Sequence, residues 1–312
     1  MILVPITYKG GVYRHDEIVD LIADLGGYVI QKHVLATEVV LLCLVPRDDI
    51  PLIERVGRPI GGEVELSPLV GTEVAIVTPS LSIHHLPHPA CDIAEYVRRL
   101  GAKSNMVGLA RGYGKRVAQT SAEEREIINE HDCAVFLLGN FEHCIVQKME
   151  VLRRGIDVPI ILTGKPDTDV LRRAIDPPVA GYVGNVGRFM HRTKEADEIA
   201  RLDAIVAEIV RVLDLRREEI AKDPLSASPA RLMAVIQEQV PEVLEVTSPT
   251  PITVQIAGLR VKLPYEDFAE RIRSAEVEEG VTIGRIADVL PSRMRDYILV
   301  RIKPSSETDI VV

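Results

Sequence analysis

Short apolar strands alternate with amphipathic helices from Thr72 to about residue 190, and this rhythm constrains the fold more than any other feature of the sequence. The strand-like runs are "TEVAIVTP", "KSNMVGLA", "CAVFLLGN", "VPIILTG" and "VAGYVGNVG". Strands that are apolar on both sides and separated by helices are typical of a parallel sheet covered on both faces. The sequence therefore predicts a doubly wound, mostly parallel α/β domain over residues 72–191.

Smaller pieces flank the predicted sheet. Residues 1–71 contain a helix-like run, "RHDEIVDLIADL", followed by two strand-like runs, and predict an N-terminal α+β unit. Residues 192–223 carry many paired charges and are interpreted as one long connecting or interaction helix. Residues 224–304 contain a short helix, a β-hairpin turning at Ala257-Gly258 and a last strand, so we expect a C-terminal α+β piece. We interpret residues 305–312 as a frayed tail.

Composition excludes several classes of protein. The chain has 312 residues, 46% of them hydrophobic, which is enough for more than one core. Its formal net charge of −9 gives no global field that attracts nucleic acid. No window approaches the roughly 18 apolar residues of a membrane span, and the first residues do not resemble a signal peptide. We therefore expect a cytoplasmic protein without nucleic-acid or membrane partners.

Two of the four cysteines fall in the first turn of predicted helices. Cys91 follows the first strand of the predicted sheet, and Cys144 follows the third. A helix N-terminus favours a thiolate, and the carboxyl ends of parallel strands share one edge, so both sulfurs are expected at that edge. The alternative for each is a small buried apolar residue. Cys43 and Cys133 lie inside apolar runs and are predicted to be core residues.

Three histidines precede Cys91 in the long loop "SIHHLPHPAC", namely His84, His85 and His88. Zinc takes about four nitrogen, sulfur or oxygen ligands, which these four residues could supply. The two prolines of the loop keep it extended and suit a rigid platform better than a tight chelate. The histidines could instead act as donors or bases beside a ligand at Cys91, or lie in a solvated loop, and the sequence leaves these alternatives open.

Cationic, glycine-containing loops follow the other strands. "LARGYGKR" brings Arg111, Lys115 and Arg116 together with two glycines, but its spacing differs from a P-loop and Arg116 stands where serine or threonine should hold magnesium. Loops after the remaining strands add Asn140, Lys165 and Arg188. A phosphate- or nucleotide-binding enzyme is one hypothesis for this rim, and solvated surface charges are the alternative. We find no complete catalytic constellation, so no catalytic residue is predicted.

Several long runs, "HHLPHPACDIAEYVRRLGAKSNMVGLARGYGKR", "GNFEHC", "ILTGKP", "SPTPITVQIAGLRVKLPY" and "SRMRDYILVRI", resemble methanogenesis marker protein 7. That family is restricted to methane-producing archaea, and the resemblance covers essentially the whole chain. It implies a non-catalytic subunit of the ATP-dependent assembly that activates methyl-coenzyme M reductase by reducing the nickel of coenzyme F430. The implied partners are the reductase, its operon protein C, other methanogenesis marker proteins and an ABC-type ATPase component.

The resemblance also implies that electrons in this assembly pass through iron–sulfur clusters. Cys91 and Cys144 match the family's cysteine-bearing loops, but two cysteines cannot complete an ordinary four-thiolate cluster. A cluster shared with a partner would account for the shortage. The loop histidines would then ligate the cluster or donate hydrogen bonds around it, and the cations of "RGYGKR" would balance its charge or bind an acidic partner face. A pure scaffold that docks a partner through the long helix is a further alternative.

Overall fold

The structure is a computed structural model that describes residues 3–78, 89–109, 120–138, 142–166, 171, 179–187 and 195–312. Its strands are β1 (Leu3–Gly11), β2 (Tyr28–Val34), β3 (Glu38–Pro46), β4 (Glu63–Leu66), β5 (Glu73–Thr78), β6 (Lys103–Gly108), β7 (Cys133–Leu137), β8 (Ile160–Thr163), β9 (Val179–Val183), β10 (Ile252–Gln255), β11 (Gly258–Val261), β12 (Glu276–Glu278), β13 (Val281–Thr282), β14 (Ala287–Pro291) and β15 (Ile298–Ile302). Its α-helices are α1 (His15–Asp24), α2 (Ile50–Gly57), α3 (Pro89–Arg99), α4 (Ala122–Asn129), α5 (Glu142–Leu152), α6 (Glu195–Lys222), α7 (Pro229–Gln239), α8 (Tyr265–Ser274), α9 (Ile283–Ile286) and α10 (Ser305–Thr308).

The N-terminal residues form an antiparallel four-stranded sheet in the order β2-β3-β1-β4. Helices α1 and α2 pack against it because each presents an apolar stripe, including Ile18 and Ile22 of α1 and Ile53 of α2, to the sheet residues. The sequence predicts α1, β2 and β3 but not β1, an inner strand that pairs with both β3 and β4. Its run "LVPITYKGG" mixes proline, lysine and glycines with apolar residues, and these weaken the strand signal.

The middle of the chain forms the predicted parallel sheet. Its five strands are β6-β5-β7-β8-β9 in spatial order, and every neighbouring pair is parallel. All residues of β5, β7 and β8 are buried. Their sequences are therefore mostly apolar and do not alternate between apolar and polar residues. The predicted mixed α/β class with a parallel sheet is confirmed, and antiparallel sheets flank it on either side along the chain.

Two hydrophobic clusters cover the parallel sheet, one on each face. Val74 and Ile76 of β5 pack with the apolar stripes of α3 and α6. The alternate residues Ala75 and Val77 pack with α4 and α5. Successive side chains of a strand point to opposite faces, so α3 and α6 lie on one face and α4 and α5 on the other.

Helix α6 has 28 residues and connects the parallel sheet to the C-terminal piece. It also packs against the sheet. Ile205, Ile209, Val212 and Leu213 are buried against strand residues of the sheet. Arginines of α6 pair with acidic residues three positions away, and among these the pair of Arg216 and Glu219 is exposed, whereas Arg211 also donates to the backbone oxygen of Ala180 in β9. The predicted long helix is therefore present, and one of its faces is taken up by the sheet.

The C-terminal piece is an antiparallel sheet in the order β10-β11-β15-β14 with a small β12-β13 ribbon and helices α7 and α8. The predicted hairpin is present, but Ile256 and Ala257 form its turn and Gly258 pairs with Gln255 inside the ladder. A Cβ on Gly258 would lie 2.2 Å from the backbone oxygen of Val300. Glycine is therefore needed at this position for the close approach of β15, and not for the turn.

The prediction of a frayed C-terminal tail is wrong. Residues 305–308 form α10, and the backbone N–H of Val312 donates to the oxygen of Ser226 over 2.8 Å. Ile310 and Val312 pack against the C-terminal core. A few apolar side chains that cover an exposed edge of a core are enough to order such a segment. Polar residues surround them in the sequence, so the local pattern does not indicate an ordered segment.

Candidate functional site

Helices α3 and α5 both begin at the carboxyl edge of the parallel sheet, because they follow β5 and β7. These two strands are neighbours, with Val74 paired to Cys133 and Val77 to Phe136. From β5 the chain proceeds to β6 on one side, and from β7 it proceeds to β8 on the other. The strand order thus reverses between β5 and β7, and such reversals leave the crevice in which open α/β sheets bind ligands.

Cys91 is the third residue of α3, in the first turn as predicted. Ala90, Ile93 and Val97 form the stripe that α3 buries, and the thiol-bearing residue lies off that stripe and is exposed. The helix starts at Pro89, whose fixed φ suits a first helical position. The local sequence therefore fixes the start of the helix beside Cys91 and leaves this residue accessible.

Cys144 is the third residue of α5, again in the first turn as predicted. Ile145, Met149 and Leu152 anchor α5 to the sheet at helical spacing. The description of Cys144 covers its place in the helix but not its side chain. The backbone therefore brings the helix starts that carry Cys91 and Cys144 to the two strands that flank the reversal.

Lys165 lies in the turn after β8 and is exposed. The backbone of this turn is tied to β9, since Gly164 donates to Val183 and accepts from Val186 over 3.3 and 2.9 Å. The structure thus places Lys165 at the same edge as the two helix starts. The other predicted site residues lie outside the described residues: His84, His85, His88, Arg111, Lys115, Arg116, Asn140 and Arg188.

The other two cysteines are buried, as predicted. Burial raises the pKa of the Cys43 thiol to about 12. Burial, helped by the charge of Asp132, also raises the pKa of Cys133. Both are neutral thiols in the core at neutral pH. Within the described part of the chain, no group of three or more histidine, cysteine, aspartate or glutamate side chains is placed to hold a metal ion.

A buried polar network that the sequence analysis did not anticipate lies at the opposite, amino edge of the parallel sheet. Arg260 of β11 contacts Glu73, the first residue of β5, with its Nε 3.1 Å from both carboxylate oxygens. Its Nη1 donates to Glu130 and to Ser292, each over 2.6 Å. Gln255 donates to Glu73 over 2.5 Å. All these side chains are buried, so the network joins the C-terminal sheet to the parallel sheet.

Burial and the contacts within the network shift the pKa values of Glu73 and His131. Burial acts to raise the pKa of Glu73, but electrostatic interactions with His131 and Arg260 and hydrogen bonds from Arg260 and Gln255 outweigh it, and the pKa lies below the usual range. Burial lowers the pKa of His131, whose Nδ1 lies 2.9 Å from the oxygen of Ile127 and whose Nε2 lies 3.0 Å from Asn105. A neutral imidazole satisfies both contacts. Each of these side chains has a hydrogen-bond partner within the network.

Residues 3–275 match the model of the methyl-coenzyme M reductase operon protein C family. The chain belongs to this family. An uncharacterized protein of Methanocaldococcus jannaschii is 44% identical over 304 residues, which cover 97% of this chain and 95% of that protein. A glutamyl-tRNA reductase from Methanopyrus kandleri covers 77% of this chain and 85% of its own, but at 9% identity and a TM-score of 0.18 it carries no argument.

Membership of the operon protein C family associates the chain with the methyl-coenzyme M reductase operon and is consistent with involvement in methanogenesis. The relative from Methanocaldococcus jannaschii is an archaeal protein, as the resemblance implied. The resemblance gave operon protein C as a partner, whereas the comparison shows it to be the family of this chain. No described helix is both long and apolar enough to cross a membrane.

Proposed function

We propose that the chain is a non-catalytic subunit of the ATP-dependent complex that reductively activates methyl-coenzyme M reductase, as methanogenesis marker protein 7 is. In this role it helps to hold or shield an iron–sulfur cluster shared with a partner subunit. The operon family supports the link to the reductase. The observation that carries the proposal is the pair of cysteine-bearing helix starts beside the reversal between β5 and β7.

The donor set fits a shared cluster only in part. Cys91 is exposed and Cys144 occupies the equivalent helix position, so both belong to one sheet edge. A cluster with four thiolate ligands needs two further donors, and the other two cysteines of the chain, Cys43 and Cys133, are buried in the core. The missing donors must therefore come from the loops at this edge or from another chain. In this proposal Cys91 and Cys144 supply two ligands of the cluster, and a partner subunit supplies others.

The partners we propose are methyl-coenzyme M reductase, other methanogenesis marker proteins and the ABC-type ATPase component. The protein would act in the cytoplasm, without nucleic acid or membrane. We also infer that the parallel sheet is doubly wound, because its order reverses once and its clusters place helices on both faces.

The test is the iron content of the complex isolated without oxygen. The protein is co-purified with its partners, and iron and acid-labile sulfide are measured for the unaltered chain and for Cys91→Ala and Cys144→Ala. The proposal expects each substitution to lower both quantities while the partners still co-purify. Unchanged iron in both variants would show that these cysteines are not ligands.

The buried cysteine Cys43 provides the matched control. Cys43→Ala removes a thiol of the same type from the N-terminal core, far along the chain from the sheet edge, and should leave the iron content unchanged. If Cys43→Ala lowered iron as much as Cys91→Ala, the loss would report damage to the fold. A chain that never co-purifies with the reductase or the ATPase component would contradict the subunit role itself.

A further inference from the structure

A cavity of about 450 Å³ lies at the amino edge of the parallel sheet, where the three parts of the chain meet. Residues of β2 and β3 form one wall, the end of α3 and Lys103 at the start of β6 form the second, and β10 with the segment before it forms the third. Cys91 and Cys144 begin helices at the opposite end of the strands. The cavity is therefore separate from the site proposed for the cluster.

The charged side chains that line this cavity are all basic. His33, Arg98, Arg99 and Lys103 line it, and none of its lining residues is acidic, although the whole chain has a net charge of −9. Arg98 and Arg99 share one exposed carboxylate, that of Glu95, so these three residues retain one positive charge. In the described part of the chain Lys103 makes no ion pair, and it is half-buried.

A second lysine, Lys262, contacts a residue of the cavity wall. Lys262 donates from its Nζ to Ser248 over 2.8 Å and to Thr250 over 3.0 Å, and Thr250 lines the cavity. Burial, and next the positive charge of Lys103, lower the pKa of Lys262 to about 8. Two half-buried ammonium groups that repel each other destabilise the protein, and an anion placed beside Lys103 would relieve that repulsion.

Two hydroxyl groups in the wall are available as donors. Thr253 is 4% exposed and lines the cavity, and its Oγ1 has no hydrogen-bond partner in the described structure. Thr250 also lines the cavity and accepts from Lys262, which leaves the proton of its own hydroxyl free for another acceptor. A buried hydroxyl without a partner costs free energy, so the unpartnered Thr253 points to a ligand.

We propose that this cavity binds the phosphate group of a small phosphorylated molecule. A phosphate carries close to two negative charges and three strong acceptor oxygens, which match Lys103, the two threonine hydroxyls and the arginines at the rim. The remaining walls are apolar, with Ile30 and Leu42 among them, and receive the rest of a small molecule. The volume lies within the range of about 300–1,000 Å³ that small-molecule sites occupy.

Isothermal titration of the full chain tests this assignment at low ionic strength in a zwitterionic buffer. The probes are inorganic phosphate, butyl phosphate and butyrate. We expect saturable binding of one phosphate per chain, tighter binding of butyl phosphate because of the apolar walls, and binding of butyrate weaker by about tenfold or more. Absence of saturable binding of both phosphates, or equal binding of butyrate, would overturn the proposal.

Two substitutions locate the binding. Lys103→Gln removes the cationic group from the cavity and should weaken phosphate binding by about tenfold or more, whereas Lys9→Gln, at an exposed lysine paired with Glu65, should not change it. Thr253→Val removes only a hydroxyl and keeps the shape, so the variant should fold and bind phosphate several-fold more weakly. Phosphate bound equally by all of these variants would show binding elsewhere on the surface and would also overturn the assignment.

Discussion

Arg260 lies 3.1 Å from both carboxylate oxygens of Glu73, although 187 residues separate the two in the chain and both side chains are almost completely buried. The same guanidinium donates to Glu130 over 2.6 Å. One arginine therefore pairs with two carboxylates, one from the parallel sheet and one from the loop before β7. Docking of the C-terminal sheet depends on this cation, because charges removed from water must be paired.

Replacing Arg260 by methionine tests this dependence. The substitution keeps much of the side-chain volume but leaves Glu73 and Glu130 buried without a counter-charge. Removing one partner from a buried ion pair costs about 3–5 kcal/mol, and a loss of free energy of unfolding in this range is expected from urea titration.

Arg271→Met is the matched control, since Arg271 pairs with Glu242 at the surface. Water and salt screen that pair, so the control should unfold at nearly the same urea concentration as the unaltered protein. Equal losses for Arg260→Met and Arg271→Met would show that burial of the Arg260 network contributes nothing.

Asp132 predicts a dependence of stability on pH. Its two oxygens accept from the backbone N–H groups of Glu73 and Ile256 over 2.7 and 3.0 Å, yet burial raises its pKa to about 7. The native state then keeps a proton that the unfolded chain releases at about pH 4. The contribution of this carboxyl to the free energy of unfolding must therefore fall as the pH rises from about 4 to about 7.

Comparison with Asp132→Asn isolates this contribution, because the amide does not titrate. The free energy of unfolding of the unaltered protein minus that of the variant should decrease between pH 5 and pH 8, measured by urea titration at about half-unit steps. A difference that stays constant or increases with pH would contradict a raised pKa at Asp132.

The strands of the parallel sheet could be predicted because burial on both faces leaves a direct trace in the sequence. Runs such as "VAIV" within β5 and "CAVFL" in β7 contain no charged residue, and helical stripes such as that of α3 lie between them. The first-turn positions of Cys91 and Cys144 follow from the same pattern, because a helix start after a short strand is set within a few residues.

The Arg260 network could not be predicted, because its members come from segments that no local pattern connects. Arg260 occupies an inward position of "GLRVKL", and in a hairpin considered alone an arginine at either face is typical of a solvated strand. Its burial depends on Glu73 and Glu130, which belong to the other sheet. The cavity lined by Lys103 and Thr253 has the same origin, since its walls meet only when the three pieces are assembled.

The cysteines should differ sharply in reactivity. Cys91 is exposed, whereas Cys43 and Cys133 are buried with raised pKa values. Because the thiolate is the reactive form, iodoacetamide should label Cys91 in the native protein and should reach the two buried cysteines only after unfolding. Peptide mass spectrometry before and after denaturation distinguishes the three sites. Native labelling of Cys43 or Cys133 at the rate of Cys91 would be incompatible with the described core.

Tyr8 gives a prediction about packing in the N-terminal unit. Its ring is fully buried among glycines, and its hydroxyl has no hydrogen-bond partner in the described structure. A Cβ at Gly10 would lie 2.5 Å from that hydroxyl, whereas a Cβ at the next residue, Gly11, would meet nothing within 4 Å. The two glycines belong to the same strand, so they form a matched pair in which only one is constrained by the tyrosine.

Gly10→Ala should therefore lower the free energy of unfolding by about 1–3 kcal/mol, the usual cost of overpacking a well-filled core, and Gly11→Ala should leave it nearly unchanged. Tyr8→Phe removes the unpartnered hydroxyl and should raise the free energy of unfolding by about 1 kcal/mol, because a buried polar group without a partner is costly. Urea titration measures all three variants. A destabilised Tyr8→Phe variant would mean that the hydroxyl has a partner. Equal stabilities of Gly10→Ala and Gly11→Ala would mean that the tyrosine does not pack against Gly10.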